Sequence, residues 1–156
     1  IDGAETEGAK ILVDGRTNPS NQLANGSFVG PTIIDGVSAH SACVNEEIFG
    51  PVLSVLHTNT LNEALAIENA SSFGNAAAIY TSSGAAAEYY SARANAGMVG
   101  VNIGVPVPRD PFPFGGWNTS RFGAGDITGE DGIRFWTQSK KITSKWTSSA
   151  ARSWMS

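Results

Sequence analysis

Between Val52 and Ile103 the chain alternates short apolar runs with stretches of helical period, and that alternation narrows the fold more than any other feature. Val52-Leu53-Ser54-Val55-Leu56 is apolar on both faces, as buried parallel strands tend to be. Thr60-Leu61-Asn62-Glu63 then matches a capping box, in which the Thr60 hydroxyl and the Glu63 carboxylate satisfy free amides at a helix start. Leu61, Ala64, Leu65 and Glu68 keep helical spacing, and Ile67 widens the apolar stripe until Ser71, Ser72 and Gly74 end it. Ala77 to Tyr80 reads as the next strand, and Ser82-Ser83 caps a second helix through Ala86, Tyr89, Tyr90 and Arg93. Gly97 stands where a helix C-cap calls for a left-handed residue, and Met98 to Ile103 is a third apolar run. Strand, helix, strand, helix, strand predicts an α/β fold, a parallel-type sheet with flanking helices and right-handed crossovers.

The flanks are less regular. Ile11-Leu12-Val13 is a short apolar run closed by Asp14-Gly15, and Asn18 to Gly26 reads as a surface loop. Phe28-Val29 and Thr32-Ile33-Ile34 predict short strands ended by Asp35-Gly36. Gly104 to Gly116 contains four prolines and two phenylalanines, a constrained loop at a strand's C-terminal end, where open α/β sheets bind ligands. Thr119 to Gly132 reads as a Gly-rich loop, and Ile142 to Trp146 as a late strand after Lys140-Lys141.

Composition bounds the function. With 156 residues the chain is of single-domain size. Ten Lys plus Arg against fourteen Asp plus Glu argue against a nucleic-acid partner, which needs clustered cations. No apolar run reaches the roughly 18 residues of a membrane span. Cys43, the only cysteine, excludes an internal disulfide framework and a thiolate metal cluster, so a reducing, cytoplasmic compartment is the expectation. Charged residues make up 15% of the chain, below the roughly 25% of an ordinary globular domain, which predicts that much of the surface faces other protein. Together with an opening at Ile1 without an initiator Met, this suggests one piece of a longer chain.

Glu46-Glu47-Ile48-Phe49-Gly50-Pro51 is the most informative segment. A carboxylate can accept hydrogen bonds from both hydroxyls of a ribose, and an aromatic ring two residues on can cover a planar heterocycle. On spacing alone, an acidic helix end followed by a core phenylalanine is the more economical reading. Cys43 has acidic neighbours that oppose thiolate formation, which favours a buried structural cysteine over a nucleophile. His40 and His57 show no metal spacing and no carboxylate partner pattern, so no metal site is expected. The loop from Pro106 to Trp117 reads equally as a pocket wall, with Arg109 pairing an anionic substrate, or as a surface loop that pairs Arg109 with Asp110. Gly123, Gly125 and Gly129 have neither the spacing nor the preceding strand of a dinucleotide loop.

Together the segments resemble the C-terminal third of an aldehyde dehydrogenase. The residues that carry the resemblance are the EEIFGP run at 46–51, GMVGVN at 97–102, PFGGW at 113–117 and GIRFWTQSKKITSKW at 132–146. Within the superfamily, the stretch from Val101 to Trp117 and the C-terminal ending are most similar to the CoA-acylating methylmalonate-semialdehyde dehydrogenase branch.

The resemblance implies oxidation of a small aldehyde or semialdehyde by NAD or NADP through a cysteine thioester, released to water or to coenzyme A. It implies that Glu47 holds the nicotinamide ribose, that Phe49 lies beside the nicotinamide and that Phe114 lines the aldehyde pocket, with Arg109 as the candidate carboxylate anchor. It further implies that residues 1–139 form part of the catalytic domain, that 140–147 form an oligomerisation strand extending a neighbouring subunit's sheet, and that 148–156 are a frayed tail. The family's nucleophile and its Rossmann cofactor domain are expected upstream, so the 156-residue chain alone is expected to be inactive. A different class of reading is a non-catalytic remnant that acts only in self-association or subunit assembly.

Overall fold

A computed structural model describes residues 1–17 and 26–146, so all of the predicted Asn18–Gly26 loop but Gly26, and the chain from 147 onward, lie outside the described residues. The chain divides into two units, one of residues 1–107 with 115–122 and the other of 108–114 with 123 onward.

The larger unit contains the strand–helix alternation. Helix α1 (Asp2–Thr6) leads into strand β1 (Lys10–Val13), which pairs antiparallel with β2 (Thr32–Asp35). Strand β2 in turn pairs parallel with β3 (Val52–Val55), Thr32 opposite Val52 and Asp35 opposite Val55. The short helix α2 (Ala42–Asn45) joins β2 to β3. Ile34, fully buried at the centre of this sheet, packs with Ala4 and Val37, and Ile11, Cys43, Val44, Val52 and Leu56 close around them.

The second half of the unit is a strand–helix–strand arrangement. Helix α3 (Leu61–Asn69) precedes the two-residue strand β4 (Phe73–Gly74) and strand β5 (Ala76–Ile79). Helix α4 (Gly84–Ser91) carries the chain to β6 (Met98–Val101), which lies parallel to β5. Leu65, Tyr90 and Ala94 form the core between these elements, with Leu61, Ala77, Ile79 and Val99 against it. Strand β7 (Trp117–Asn118) pairs antiparallel with β4.

The helix starts follow their caps. The Thr60 hydroxyl accepts from the Glu63 amide at 3.2 Å, and the Glu63 carboxylate accepts from the Asn59 amide at 2.8 Å. The Ser83 hydroxyl accepts from the Ala86 amide at 3.3 Å.

The expected α/β fold is present: β2–β3 and β5–β6 pair parallel, and β1 and β7 add antiparallel pairs, so the pairing across three small sheets is mixed. Finer expectations need correction. Phe28 and Val29 are exposed and form no strand. Leu53 is 58% exposed, so β3 is not covered on both faces within the described residues. Gly97 is not a left-handed cap, since α4 ends with Ala92 as its cap. Its glycine is required by close approach instead: a Cβ there would lie 2.5 Å from the Gly115 carbonyl oxygen.

In the smaller unit, helix α5 (Gly129–Trp136) occupies part of the stretch that reads as a Gly-rich loop. The Phe114 amide donates to the Thr128 hydroxyl at 2.8 Å, and the Ile127 amide donates to the Phe114 carbonyl at 3.2 Å. That engagement leaves Thr128, the N-cap residue of α5, without a side-chain cap bond. Arg134 instead pairs with Glu130 at 3.3 Å and Asp131 at 3.2 Å along the helix. Ile133, Phe135 and Trp136 are exposed. Residues 137–146 carry no regular secondary structure, so the strand predicted from Ile142 to Trp146 is not formed among the described residues.

Candidate functional site

Helix α2 ends where the Glu46 amide donates to the Ala42 carbonyl at 2.8 Å, after which Glu46 is extended. Glu47, Ile48 and Phe49 then cross open surface before the chain enters β3 through Gly50 and Pro51. The far end of this crossing is fixed, because the Thr32 amide donates to the Pro51 carbonyl at 2.8 Å and the Val52 amide to the Gly50 carbonyl at 2.8 Å.

Phe49 is the residue on which the two readings of this segment differ. Its side chain is 92% exposed and its backbone has φ of +48°, a left-handed conformation that bulky residues rarely adopt. Phe49 belongs to neither core cluster of the described residues. It offers a flat apolar face to a ligand, and strain of this kind tends to mark functional positions.

Glu47 faces a concavity. It lines a cavity of about 410 Å³ with Ile67, Glu68, Phe73, Asn75 and Ser120 among its walls. A second cavity of about 420 Å³ shares Glu47, Phe73, Asn75 and Ser120 and adds Thr119 and Phe122. At the wall of the first, Glu68 Oε2 accepts from the Tyr90 hydroxyl at 2.7 Å, while Glu68 Oε1 is buried without a partner among the described residues. Burial, then the adjacent Glu68 carboxylate, pushes the Tyr90 phenol well above its ordinary pKa, so it stays a hydrogen-bond donor. An exposed carboxylate lining a cavity, with an exposed ring two residues on, suits the ribose and the flat heterocycle of a nicotinamide dinucleotide.

The other predicted site residues lie in the smaller unit. Arg109 is exposed, and its guanidinium forms no ion pair with Asp110 among the described residues. That leaves the self-paired surface loop without its expected contact. Phe114 is half-buried, its backbone bonded to Ile127 and Thr128 as above.

Cys43 on α2 is half-buried beside the first core cluster, with its Sγ 3.3 Å from the Ser41 hydroxyl. His57 does have a carboxylate partner, Asp35, at 2.7 Å. The two residues are 22 apart in the chain and meet because β2 and β3 run parallel, a juxtaposition no local pattern reveals. Among the described residues no group of three or more His, Cys, Asp or Glu side chains could hold a metal ion. No helix among them is long and apolar enough to cross a membrane. Asn75 and Ser120 at the Glu47 cavity were not singled out by the sequence reading. The only local signal is a polar residue where β5 begins.

Comparison with known proteins bears on this geometry. The family description "Aldehyde dehydrogenase family" matches residues 1–142. A relative from Bos taurus, named methylmalonate-semialdehyde/malonate-semialdehyde dehydrogenase [acylating], mitochondrial, is 48% identical over 146 residues, covering 94% of this chain and 27% of its own length. Malonate-semialdehyde dehydrogenase from Halalkalibacterium halodurans is 42% identical, covering 94% of this chain and 30% of its own length. The crystal structure of methylmalonate-semialdehyde dehydrogenase from Oceanimonas doudoroffii superposes with a TM-score of 0.90 at 43% identity, over 97% of this chain and 31% of that one. A Sinorhizobium meliloti protein described as a methylmalonate-semialdehyde dehydrogenase, complexed with NAD, gives 0.89 at 44% identity over 94% of this chain and 30% of its own. The chain thus spans about 27–30% of the length of the curated relatives it matches. On the match over residues 1–142 and identity approaching half with these relatives, the chain belongs to the aldehyde dehydrogenase family.

Proposed function

We propose that this chain is the C-terminal portion of an NAD-dependent aldehyde dehydrogenase that oxidises a small semialdehyde and passes the acyl group to coenzyme A. The observation that carries the reading is the exposed, left-handed Phe49 two residues after Glu47, which itself lines a cavity. The acylating semialdehyde dehydrogenases among its relatives support the choice of substrate and acceptor.

In this reading the Glu47 carboxylate accepts hydrogen bonds from the two hydroxyls of the nicotinamide ribose. The Phe49 ring lies along the nicotinamide and limits its orientation, so that the hydride-accepting carbon meets the substrate in one geometry. Bound NAD, or NADP, supplies the hydride acceptor. Phe114 forms part of the aldehyde pocket wall, and Arg109 pairs with the distal carboxylate of the semialdehyde. The cysteine that forms the thioester belongs to the part of the relatives' length this chain does not span. Residues 140–147 act in assembly, adding a strand to a neighbouring subunit. The exposed Ile142, at 80%, and Trp146, at 75%, support that role. The bacterial relatives and the single thiol favour a cytoplasmic setting, although the Bos taurus relative is named mitochondrial.

The test is a product analysis of the full-length protein with malonate semialdehyde and NAD+, with and without coenzyme A. The reading expects NADH together with an acyl-CoA when coenzyme A is present. NADH with only free acid would remove the acylating assignment, and no NADH under either condition would remove the activity itself.

A further inference from the structure

Asn75 occupies an unusual place in the larger unit. It is the single residue between β4, which pairs with β7, and β5, which pairs with β6. Its backbone is tied on both sides. The Gly74 amide donates to the Ser120 hydroxyl at 3.1 Å, the Gly97 amide donates to the Gly74 carbonyl at 2.9 Å, and the Met98 amide donates to the Asn75 carbonyl at 3.2 Å. The chain also passes closely over it at Gly116, where a Cβ would come within 3.0 Å of both Asn75 Cα and Asn75 Oδ1. Asn75 is exposed, and among the described residues its side-chain amide makes no hydrogen bond, which leaves its donor and acceptor open to a ligand. It lines both cavities that Glu47 lines.

We infer that Asn75 is a specificity-determining residue for the cofactor, its side-chain amide pairing with the carboxamide of the nicotinamide ring. A primary amide offers one donor and one acceptor side by side, the complement of another primary carboxamide, and the fixed backbone lowers the ordering cost of the pair. This inference rests on the assignment of Glu47 and Phe49 to the nicotinamide end of the dinucleotide. It goes beyond that assignment by naming the group that reads the ring's polar edge and holds its orientation about the glycosidic bond.

The experiment is calorimetric binding of two dinucleotides to the full-length protein and its variants. The probes are NAD+ and its 3-acetylpyridine analogue, in which a methyl group replaces the carboxamide nitrogen. Asn75→Ala is expected to weaken NAD+ binding about tenfold, and the analogue, which keeps the carbonyl but not the donor, only about threefold. Asn75→Asp nearly preserves the shape, keeps an acceptor and loses the donor, so it is expected to give an intermediate loss for NAD+ while retaining the fold by circular dichroism. Equal losses for both dinucleotides, or no loss for NAD+, would overturn the inference. Glu47→Gln serves as the separate control. If it weakens both dinucleotides alike while Asn75→Ala does not discriminate, only the Asn75 inference fails. If it weakens neither, the cofactor assignment fails and takes the inference with it.

Discussion

Phe49 holds a backbone φ of +48° while 92% of its side chain faces solvent, so the folded chain bears a conformational penalty there without the apolar burial that usually offsets one. Left-handed backbone at a residue with a Cβ costs on the order of 1–2 kcal/mol. Glycine would relieve that penalty, at an entropy cost of roughly 0.5–1 kcal/mol in the unfolded chain. Phe49→Gly is therefore expected to leave thermal stability unchanged or raise it by up to about 1 kcal/mol. The same variant should weaken NAD+ binding. Differential scanning calorimetry beside a binding titration checks both halves, and a large loss of stability would show that the ring is structural. The sequence presents the Glu47–Phe49 spacing plainly, but not the exposure or the positive φ that give it meaning. Those follow from how α2 ends and how Pro51 is anchored to β2, and the anchor depends on Thr32, nineteen positions before Pro51.

At the scale of elements, local chemistry decides what can be read from sequence. Helix α3 is legible because its start is self-contained: Thr60, Glu63 and the amides they bind lie within five residues. Thr60→Ala should destabilise the full-length protein by about 1 kcal/mol, the typical value of a hydroxyl N-cap, with little change in cofactor affinity. Chemical denaturation with a binding control measures this, and an unchanged midpoint would contradict the capping role. Helix α5 is illegible for the opposite reason. Three glycines at 123, 125 and 129 surround its start, and the Thr128 hydroxyl that should announce a cap is turned to the Phe114 amide instead. The Glu130–Arg134 spacing was the available sign. Gly97 illustrates a third case, a glycine whose purpose is clearance for a carbonyl from residue 115 rather than a turn of its own.

At the scale of the whole molecule, the described residues leave unusually much apolar surface open. Phe122, Ile133, Phe135, Trp136, Ile142 and Trp146 are each at least 66% exposed. The low charge content noted from composition has the same sense, since a surface meant to be covered by protein gains little from charge. If residues 140–147 add a strand to a neighbouring subunit, Ile142→Pro should break that pairing by removing an amide donor from the ladder. Light scattering of the full-length protein would then show a smaller assembly than the parent, whereas an unchanged mass would exclude the strand as an assembly element.

The central claim, that Glu47 holds the nicotinamide ribose of an aldehyde dehydrogenase, is tested most directly by the KM for NAD+ of the full-length Glu47→Gln enzyme measured beside the parent. Hydrogen bonds to a charged acceptor contribute about 1.5–3 kcal/mol, so KM for NAD+ should rise roughly 10- to 100-fold with the KM for the aldehyde little changed. A KM for NAD+ equal to that of the parent would contradict the account.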